Sequence, residues 1–380
     1  MVYCHCFAVR LTSIALWLAL LLAAVIPDSL GGIADESASV PPEPVPSYPD
    51  HTRLLVIRDL EGRETPITTP DQWAIRRGHI LSHLQEVMGP LPATNRRVPI
   101  DLQVTQEIPE PGFTRKAISF ASEPGDRVPA WLLVPDCPLA TGGKRPAMLC
   151  LHQTVAIGKD EPAGLGGKPE LGYARELAQR GYVAIAPDYP NFGDYRIDVY
   201  ARGYASASMK AIWNNMRAID VLCSLPEVDP ERIGVIGHSL GGHTAIFTAI
   251  FEPRIQAIVS SCGFNAFTHY YGGNIAGWSH QGYMPRLRNR YRLDLQKVPF
   301  DFPELIGALA PRPFFTNSPV GDDNFAVEGV RLCIEAAQPV YALLGAPGHL
   351  VAVYPDAGHS FPDHARYAAY EFLDRHLKRP

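Results

Sequence analysis

The hexapeptide GHSLGG at residues 237–242 constrains the fold of this chain more than any other segment. It follows an apolar run at 232–236 and precedes a helix-compatible run at 244–249, a pattern that predicts a strand, a tight turn and a helix. The glycines let the backbone pass close to itself, and Ser239 is left at the apex of the turn. With these flanks the pattern predicts a nucleophilic Ser239. The alternative is an ordinary glycine-rich turn between a strand and a helix.

Strand-like and helix-like segments alternate along most of the chain. The predicted strands are 147–151, 183–186, 233–236, 255–260, 313–316 and 350–354, and the predicted helices are 171–180, 205–225, 327–344 and 362–377. Buried apolar strands separated by helices predict an α/β fold with a mostly parallel twisted sheet and helices on both of its faces.

A different pattern precedes this alternation and predicts an antiparallel N-terminal edge. It consists of one amphipathic helix and three strands, at 72–88, 100–106, 114–121 and 128–134. The sequence contains neither an internal repeat nor a second linker, so residues 51–380 are predicted to form a single domain. The aromatic-rich stretch 263–305 has no clean period, which favours an insertion that covers the strand ends and forms a wall of the substrate pocket. The alternative is an ordinary two-helix connection.

The first 34 residues have the features of an export signal. Arg10 is the only charged residue before an apolar run at 11–26, which is short for a bilayer span. A cleavable signal peptide that ends near Ala34 is therefore favoured over an uncleaved anchor. The proline-rich residues 35–50 predict a spacer. We expect a secreted or periplasmic protein with no stable membrane span after cleavage.

Composition narrows the possible partners and cofactors. The net charge is −5 and the basic residues are scattered, so we expect no nucleic acid partner. Five cysteines follow residue 34, and their odd number and wide spacing argue against a disulfide-dense scaffold. The histidines lack metal-site spacing, and the glycine-rich segment 164–167 matches no nucleotide-binding pattern. We therefore expect no metal and no cofactor. The predicted partner is a small-molecule or polysaccharide ester substrate.

Candidate partners for the serine follow two later strands. A serine hydroxyl needs an imidazole to accept its proton and a carboxylate to orient that imidazole. His359 lies in a Gly-His turn between the last predicted strand and the last helix, and it is the predicted base. Asp322 and Asp323 both follow the strand 313–316. Only one of them can face the imidazole, and the sequence favours Asp322 while Asp323 remains the alternative.

Acyl transfer also requires two backbone N–H groups that bind the oxyanion. One is predicted at Leu240, directly after the serine. The other is expected in the loop after the strand 147–151, where Thr154 is the first choice and Gln153 the second. His152 in this loop and His238 beside the serine are predicted to have structural roles.

Together these residues resemble the α/β-hydrolase superfamily, and within it the secreted dienelactone-hydrolase-like and acetylxylan-esterase-like serine hydrolases. The resemblance covers about residues 73–377. It is carried by the motifs GHSLGG at 237–242, LHQT at 151–154, APRP at 310–313 and DAGHSF at 356–361. It implies a carboxylic-ester hydrolase that forms an acyl-enzyme on Ser239 and deacylates polysaccharides or other extracellular esters. True dienelactone hydrolases carry cysteine at the nucleophile position, so Ser239 separates this chain from them.

Two other functions are consistent with the same motifs. A serine peptidase of the prolyl-oligopeptidase type would share the fold and the chain order of the triad, but this chain has no room for the large N-terminal propeller of that group. A non-catalytic binding protein on a hydrolase scaffold usually lacks a member of the triad, whereas this chain retains candidates for all three.

Overall fold

A nine-stranded sheet organises the described residues, which are 44–138 and 143–378 of this computed structural model. The strands are β1 Val56–Arg58, β2 Glu64–Pro66, β3 Gln103–Glu110, β4 Phe113–Glu123, β5 Asp126–Pro135, β6 Arg145–Leu151, β7 Val183–Pro187, β8 Val228–His238, β9 Ile255–Ser261, β10 Phe314–Asn317 and β11 Leu350–Val353. The helices are α1 Pro70–Met88, α2 Tyr173–Gln179, α3 Ala207–Ser224, α4 Leu240–Phe251, α5 Arg286–Asn289, α6 Phe302–Leu309, α7 Val327–Leu343 and α8 Asp363–Leu377. The predicted signal peptide 1–34 and the start of the predicted spacer lie outside the described residues.

The strand order of the large sheet is β11-β10-β9-β8-β6-β7-β5-β4-β3, and β1 pairs with β2 in a separate ribbon. The six strands from β6 to β11 pair in parallel, whereas β3, β4 and β5 form an antiparallel edge joined to β7. The predicted fold class, including the antiparallel N-terminal edge, is confirmed.

Helices cover both faces of the sheet. Successive residues of a strand point to opposite faces, so an apolar strand presents side chains to the helices on both sides. Leu149 of β6 belongs to the core beneath α1, α3, α4, α6 and α7, whereas its neighbour Met148 belongs to the core beneath α2 and α8. Val235 and Ile236 of β8 divide between the two cores in the same way. The central strands are therefore apolar without alternation, as their sequences predicted.

The first edge strand differs most from its predicted bounds. β3 spans Gln103–Glu110 where 100–106 was predicted, and its residues are mostly exposed. A register shift between Val104 and Gln106 interrupts its pairing with β4. Because an exposed, irregular edge strand buries little, its sequence carries no clear apolar alternation from which to place its ends.

The N-terminal part of the described chain packs on α1. Thr69 caps this helix in a capping box with Gln72, and Gly89 ends it at a φ of 94°. The hydroxyl of Tyr48 lies 2.8 Å from Nδ1 of His79, and the guanidinium of Arg76 lies 3.3 Å from the centre of the Tyr48 ring. The end of the predicted 35–50 spacer is therefore part of the folded unit that begins at Pro44.

Two further properties concern the described residues alone. None of their helices is both long and apolar enough to cross a membrane. Their cysteines are free thiols, namely Cys137, Cys150, Cys223, Cys262 and Cys333.

Candidate active site

Ser239 occupies a strained turn between β8 and α4. Its φ of 53° and ψ of −116° are rare for a residue with a side chain. The backbone N–H of Ser239 donates to the carbonyl of Ser261 at 2.8 Å, which fixes the turn to the end of β9. A Cβ atom at Gly237 would overlap the carbonyl of Gly241. The hexapeptide therefore forms the sharp strand-to-helix turn that its glycines predicted.

Neighbouring loops lie against this turn because its glycines leave room for them. A Cβ at Gly241 would overlap the carbonyl of Leu151 at the end of β6, and a Cβ at Gly242 would lie 2.8 Å from the Cα of Gly263 after β9. The backbone N–H groups in the first turn of α4 have no partner within the helix. The end of β6 is thereby held against the first turn of α4, which begins at Leu240, the predicted first oxyanion donor.

His359 and Asp322 meet on the loops after β11 and β10. Nδ1 of His359 lies 3.0 Å from each oxygen of the Asp322 carboxylate. Oδ1 of Asp322 also accepts the backbone N–H groups of Asn324 at 2.9 Å and Phe325 at 3.0 Å. Asp323 is exposed. Of the two predicted acids, the structure thus places Asp322 against the imidazole.

The pKa of Asp322 reflects this environment. Burial raises it, but the hydrogen bond and charge of His359, with the backbone N–H groups of Phe325 and Asn324, outweigh burial and hold the pKa below its usual value. The carboxylate is therefore ionised near neutral pH. An ionised carboxylate at Nδ1 favours the tautomer in which Nδ1 carries the proton and Nε2 is free to accept one.

The strand order brings Ser239, Asp322 and His359 to the carboxyl-terminal ends of the parallel strands. They follow β8, β10 and β11, which lie within four adjacent parallel strands. The ring of His238, next to Ser239, lies 4.8 Å from the ring of His359. In the part of the chain that the structure describes, no hydrogen bond joins the Ser239 hydroxyl to His359, and such bonds are often long before substrate binds.

His152 fixes the loop that carries the predicted second oxyanion donor. Its Nε2 accepts the backbone N–H of Tyr189 at 3.0 Å, so the proton lies on Nδ1, which donates to the carbonyl of Gln153 at 2.6 Å. Burial lowers the pKa of His152 to about 4, which keeps the ring neutral. Because the carbonyl and N–H of a trans peptide point in opposite directions, the N–H of Thr154 faces away from His152.

Two charged residues that sequence reasoning did not assign to the site contact the Gln153 loop and the His359 loop. Buried Glu161 accepts the side-chain amide of Gln153 at 2.9 Å and the backbone N–H of Lys168 at 3.1 Å. The ammonium of Lys168 donates to the carbonyl of His359 at 3.3 Å. A Cβ at Gly167, where φ is +73°, would overlap the Glu161 carboxyl group. The glycine-rich run 164–167 indicated a turn in the sequence, but it did not indicate that Glu161 packs against this turn.

The stretch 263–305 contacts loops on both sides of the site. Its Tyr283 hydroxyl lies 3.0 Å from the Thr154 hydroxyl, and its Tyr271 hydroxyl donates to the side-chain oxygen of Asn324 at 3.3 Å. Trp278 is buried in an aromatic cluster that includes Phe325, close to the Asp322 loop. These residues form short 3-10 turns and the four-residue α5 rather than regular long helices.

Comparisons with known proteins agree with this architecture. A family model described as "Glucuronyl esterase, fungi" matches residues 192–345. The 4-O-methyl-glucuronoyl methylesterase 1 of Wolfiporia cocos (strain MD-104) is 25% identical over 198 residues, which are 47% of this chain and 48% of that protein. The Bacillus subtilis (strain 168) protein YtaP, whose name assigns it to the hydrolases without stating a substrate, is 28% identical over 266 residues, or 66% of this chain and 84% of YtaP.

A solved structure extends the likeness over the domain. The glucuronoyl esterase from Solibacter usitatus superposes with a TM-score of 0.66 at 20% identity, covering 87% of this chain and 98% of that one. At this level of identity the likeness establishes a shared fold. The family match at 192–345 includes Ser239, Asp322 and the whole aromatic stretch 263–305, whereas His359 and Thr154 lie outside it.

Proposed function

We propose that this chain, a serine esterase of the α/β-hydrolase superfamily, hydrolyses uronoyl esters of polysaccharides through an acyl-enzyme on Ser239. The observation that carries the proposal is the Asp322–His359 pair, which lies at the same carboxyl-terminal end of the parallel strands as the strained turn of Ser239. A serine hydroxyl, an imidazole with a free Nε2 and a buried carboxylate are the groups that acyl transfer from an ester requires.

In the first half of the reaction, Nε2 of His359 accepts the proton of the Ser239 hydroxyl. The serine oxygen attacks the ester carbon and forms a tetrahedral intermediate. Its oxyanion is bound by the N–H groups of Leu240 and Thr154, and the loop contacts of His152 support the second of these roles. As the intermediate collapses, the imidazolium gives its proton to the leaving alcohol.

In the second half, a water molecule replaces the alcohol. His359 accepts a proton from this water, which attacks the acyl carbon of the ester on Ser239 and forms a second oxyanion. Collapse of that intermediate releases the acid, and the proton returns from His359 to Ser239. Asp322 stays ionised throughout and stabilises the imidazolium each time it forms.

Two observations support a uronate-containing polysaccharide as the substrate. The family match and the structural relatives are esterases named for glucuronoyl groups. The ammonium of exposed Lys168, next to the backbone of His359, adds positive charge at the site rim, where a uronate-bearing polysaccharide would lie. The esterified carboxyl group is itself neutral, so this charge would attract a free uronate on a neighbouring sugar.

The experiment compares purified protein on a benzyl glucuronate ester, acetylated xylan, p-nitrophenyl acetate and a peptide. We expect the highest kcat/KM on the glucuronate ester and no cleavage of the peptide. Preference for acetylated xylan would replace the substrate assignment while leaving the esterase mechanism intact. Peptide cleavage that exceeds ester cleavage would favour the peptidase alternative.

Lys168 provides a matched test of the acidic-substrate assignment. Lys168→Gln should lower kcat/KM on oligosaccharides with a free uronate next to the ester, and should have little effect on p-nitrophenyl acetate. Lys297→Gln, which removes another exposed lysine, should affect neither substrate. Equal losses on both substrates would show that Lys168 does not act through the charge of the sugar.

We also propose that the protein is exported and that residues 1–34 are removed. The charge and length pattern of this segment supports the proposal. The intact mass of protein recovered from the periplasm or culture medium should correspond to a chain that begins at Asp35. Full-length protein retained inside the cell would contradict it.

A further inference from the structure

Three side chains with metal-binding atoms meet beside the proposed triad. One ligand atom from each of His238, Cys262 and His359 lies within 4.8 Å of the other two. His238 and Cys262 are 0% and 1% exposed; His238 ends β8, and Cys262 directly follows the adjacent strand β9. The esterase mechanism uses only His359, so it leaves the thiol and the second imidazole unexplained.

The hydrogen bonds of Ser261 indicate which nitrogen of His238 is free. The Ser261 hydroxyl oxygen accepts the amide of Asn317 at 2.8 Å and lies 4.0 Å from the Cys262 sulfur. It also lies 2.9 Å from Nδ1 of His238, so this nitrogen is engaged by Ser261 whichever of the two atoms donates. Among the described residues, the buried Nε2 of His238 has no hydrogen-bond partner, so it is the ring nitrogen that is available to bind a metal ion.

The sulfur of Cys262 is held in place by backbone and amide groups. The φ of Cys262 is 47°, and its sulfur lies 3.4 Å from the carbonyl of Ser360 and 3.8 Å from the side-chain nitrogen of Asn317.

We infer that His238, Cys262 and His359 form an inhibitory site for Zn²⁺. Two imidazole nitrogens and one thiolate are ligands that zinc favours, and a fourth position would remain for water. Bonds of roughly 2.0–2.3 Å place tetrahedral ligand atoms about 3.3–3.8 Å apart, so the three atoms must approach one another by about 1 Å. Binding displaces the thiol proton to solvent, and the Ser261–Asn317 pair orients His238 from behind.

Zinc bound here would stop the proposed reaction. If Nε2 of His359 coordinates the metal, the ring cannot exchange a proton with Ser239. If Nδ1 coordinates it, the ring loses its contact with Asp322. Zinc would therefore act as a reversible inhibitor. It would prevent His359 from contacting Ser239 and Asp322 as the reaction requires, without resembling the substrate.

The test combines inhibition with a spectrum that needs no activity. Esterase rates are measured against free Zn²⁺ for wild type, Cys262→Ala and the matched control Cys333→Ala, which removes another buried thiol remote from the cluster. Each variant is compared with its own zinc-free rate. Co²⁺ titration of the same proteins then reports a thiolate-to-metal charge-transfer band.

We expect micromolar zinc to inhibit wild type and Cys333→Ala, and EDTA to restore both. Cys262→Ala should need about tenfold or more zinc for the same inhibition and should lack the cobalt charge-transfer band. Equal inhibition of Cys262→Ala, or a wild-type protein without that band, would overturn the proposal. The inhibition arm rests on the proposed esterase activity, whereas the cobalt spectrum does not, so failure of one can be told from failure of the other.

Discussion

Nδ1 of His359 lies 3.0 Å from both oxygens of the Asp322 carboxylate, and this contact joins the loops after two neighbouring strands. It fixes the orientation of the imidazole and the position of its proton. The adjacent Asp323, which shares the same loop and charge, is exposed. A difference of one position in this loop thus decides which aspartate can orient the imidazole in the proposed mechanism.

Asp322→Asn should lower kcat by about ten-thousandfold, because an amide at this position favours the wrong imidazole tautomer. The measurement is steady-state hydrolysis of the glucuronate ester. Asp323→Asn is the control, and it should retain wild-type activity within about twofold. A larger loss in Asp323→Asn than in Asp322→Asn would exchange the two roles.

His152→Ala should lower kcat by about tenfold to a hundredfold with little change in KM. The substitution frees the Gln153–Thr154 peptide, which the ring now holds, and an oxyanion donor contributes about a hundredfold to a thousandfold when it is correctly placed. His152→Asn keeps a donor near the position of Nδ1 and should be less impaired. If KM rises while kcat is unchanged, His152 shapes substrate binding and does not position the oxyanion donor.

Much of this site could be predicted because its signals are local. The Ser239 turn is encoded by glycines within six residues, and Asp322 and His359 each follow a short apolar strand in the expected chain order. The central strands could be placed for the same reason, since each is a compact apolar run.

The supporting contacts could not be predicted because they join residues distant in sequence. Glu161 beneath Gln153, and Cys262 beside His238 and His359, are brought together only when the strands are ordered in the sheet. The packing of Tyr48 on α1 was likewise hidden, because a proline-rich composition indicates an irregular backbone and carries no information on what that backbone contacts.

His51 should make stability depend on pH. Burial lowers its pKa, but the charge and hydrogen bond of Glu304, together with Asp301 and against the opposing charge of Arg76, raise it overall. This stabilisation is complete below the unfolded pKa of about 6.5 and is lost as pH rises through the higher folded value. Nearby His83, whose pKa burial lowers to about 4, remains neutral in this range, whereas burial raises the pKa of Asp301 to about 7, so its loss of a proton adds to the fall in stability.

Urea unfolding from pH 6 to pH 9 measures the His51 effect. The free energy of unfolding of wild type should fall over this range, and His51→Gln should give a flatter profile. His364→Gln, which replaces an exposed histidine on α8, should keep the wild-type slope. If the free energy of unfolding of His51→Gln falls with pH as steeply as that of wild type, another group controls the pH dependence of stability.

The most direct test of the account is the activity of Ser239→Ala on the benzyl glucuronate ester, measured beside wild type with its folding verified by circular dichroism. The account predicts a loss in kcat of about a hundred-thousandfold or more, because the proposed acyl-enzyme forms on the Ser239 oxygen. A folded Ser239→Ala protein that keeps most of the wild-type rate would contradict the proposed mechanism.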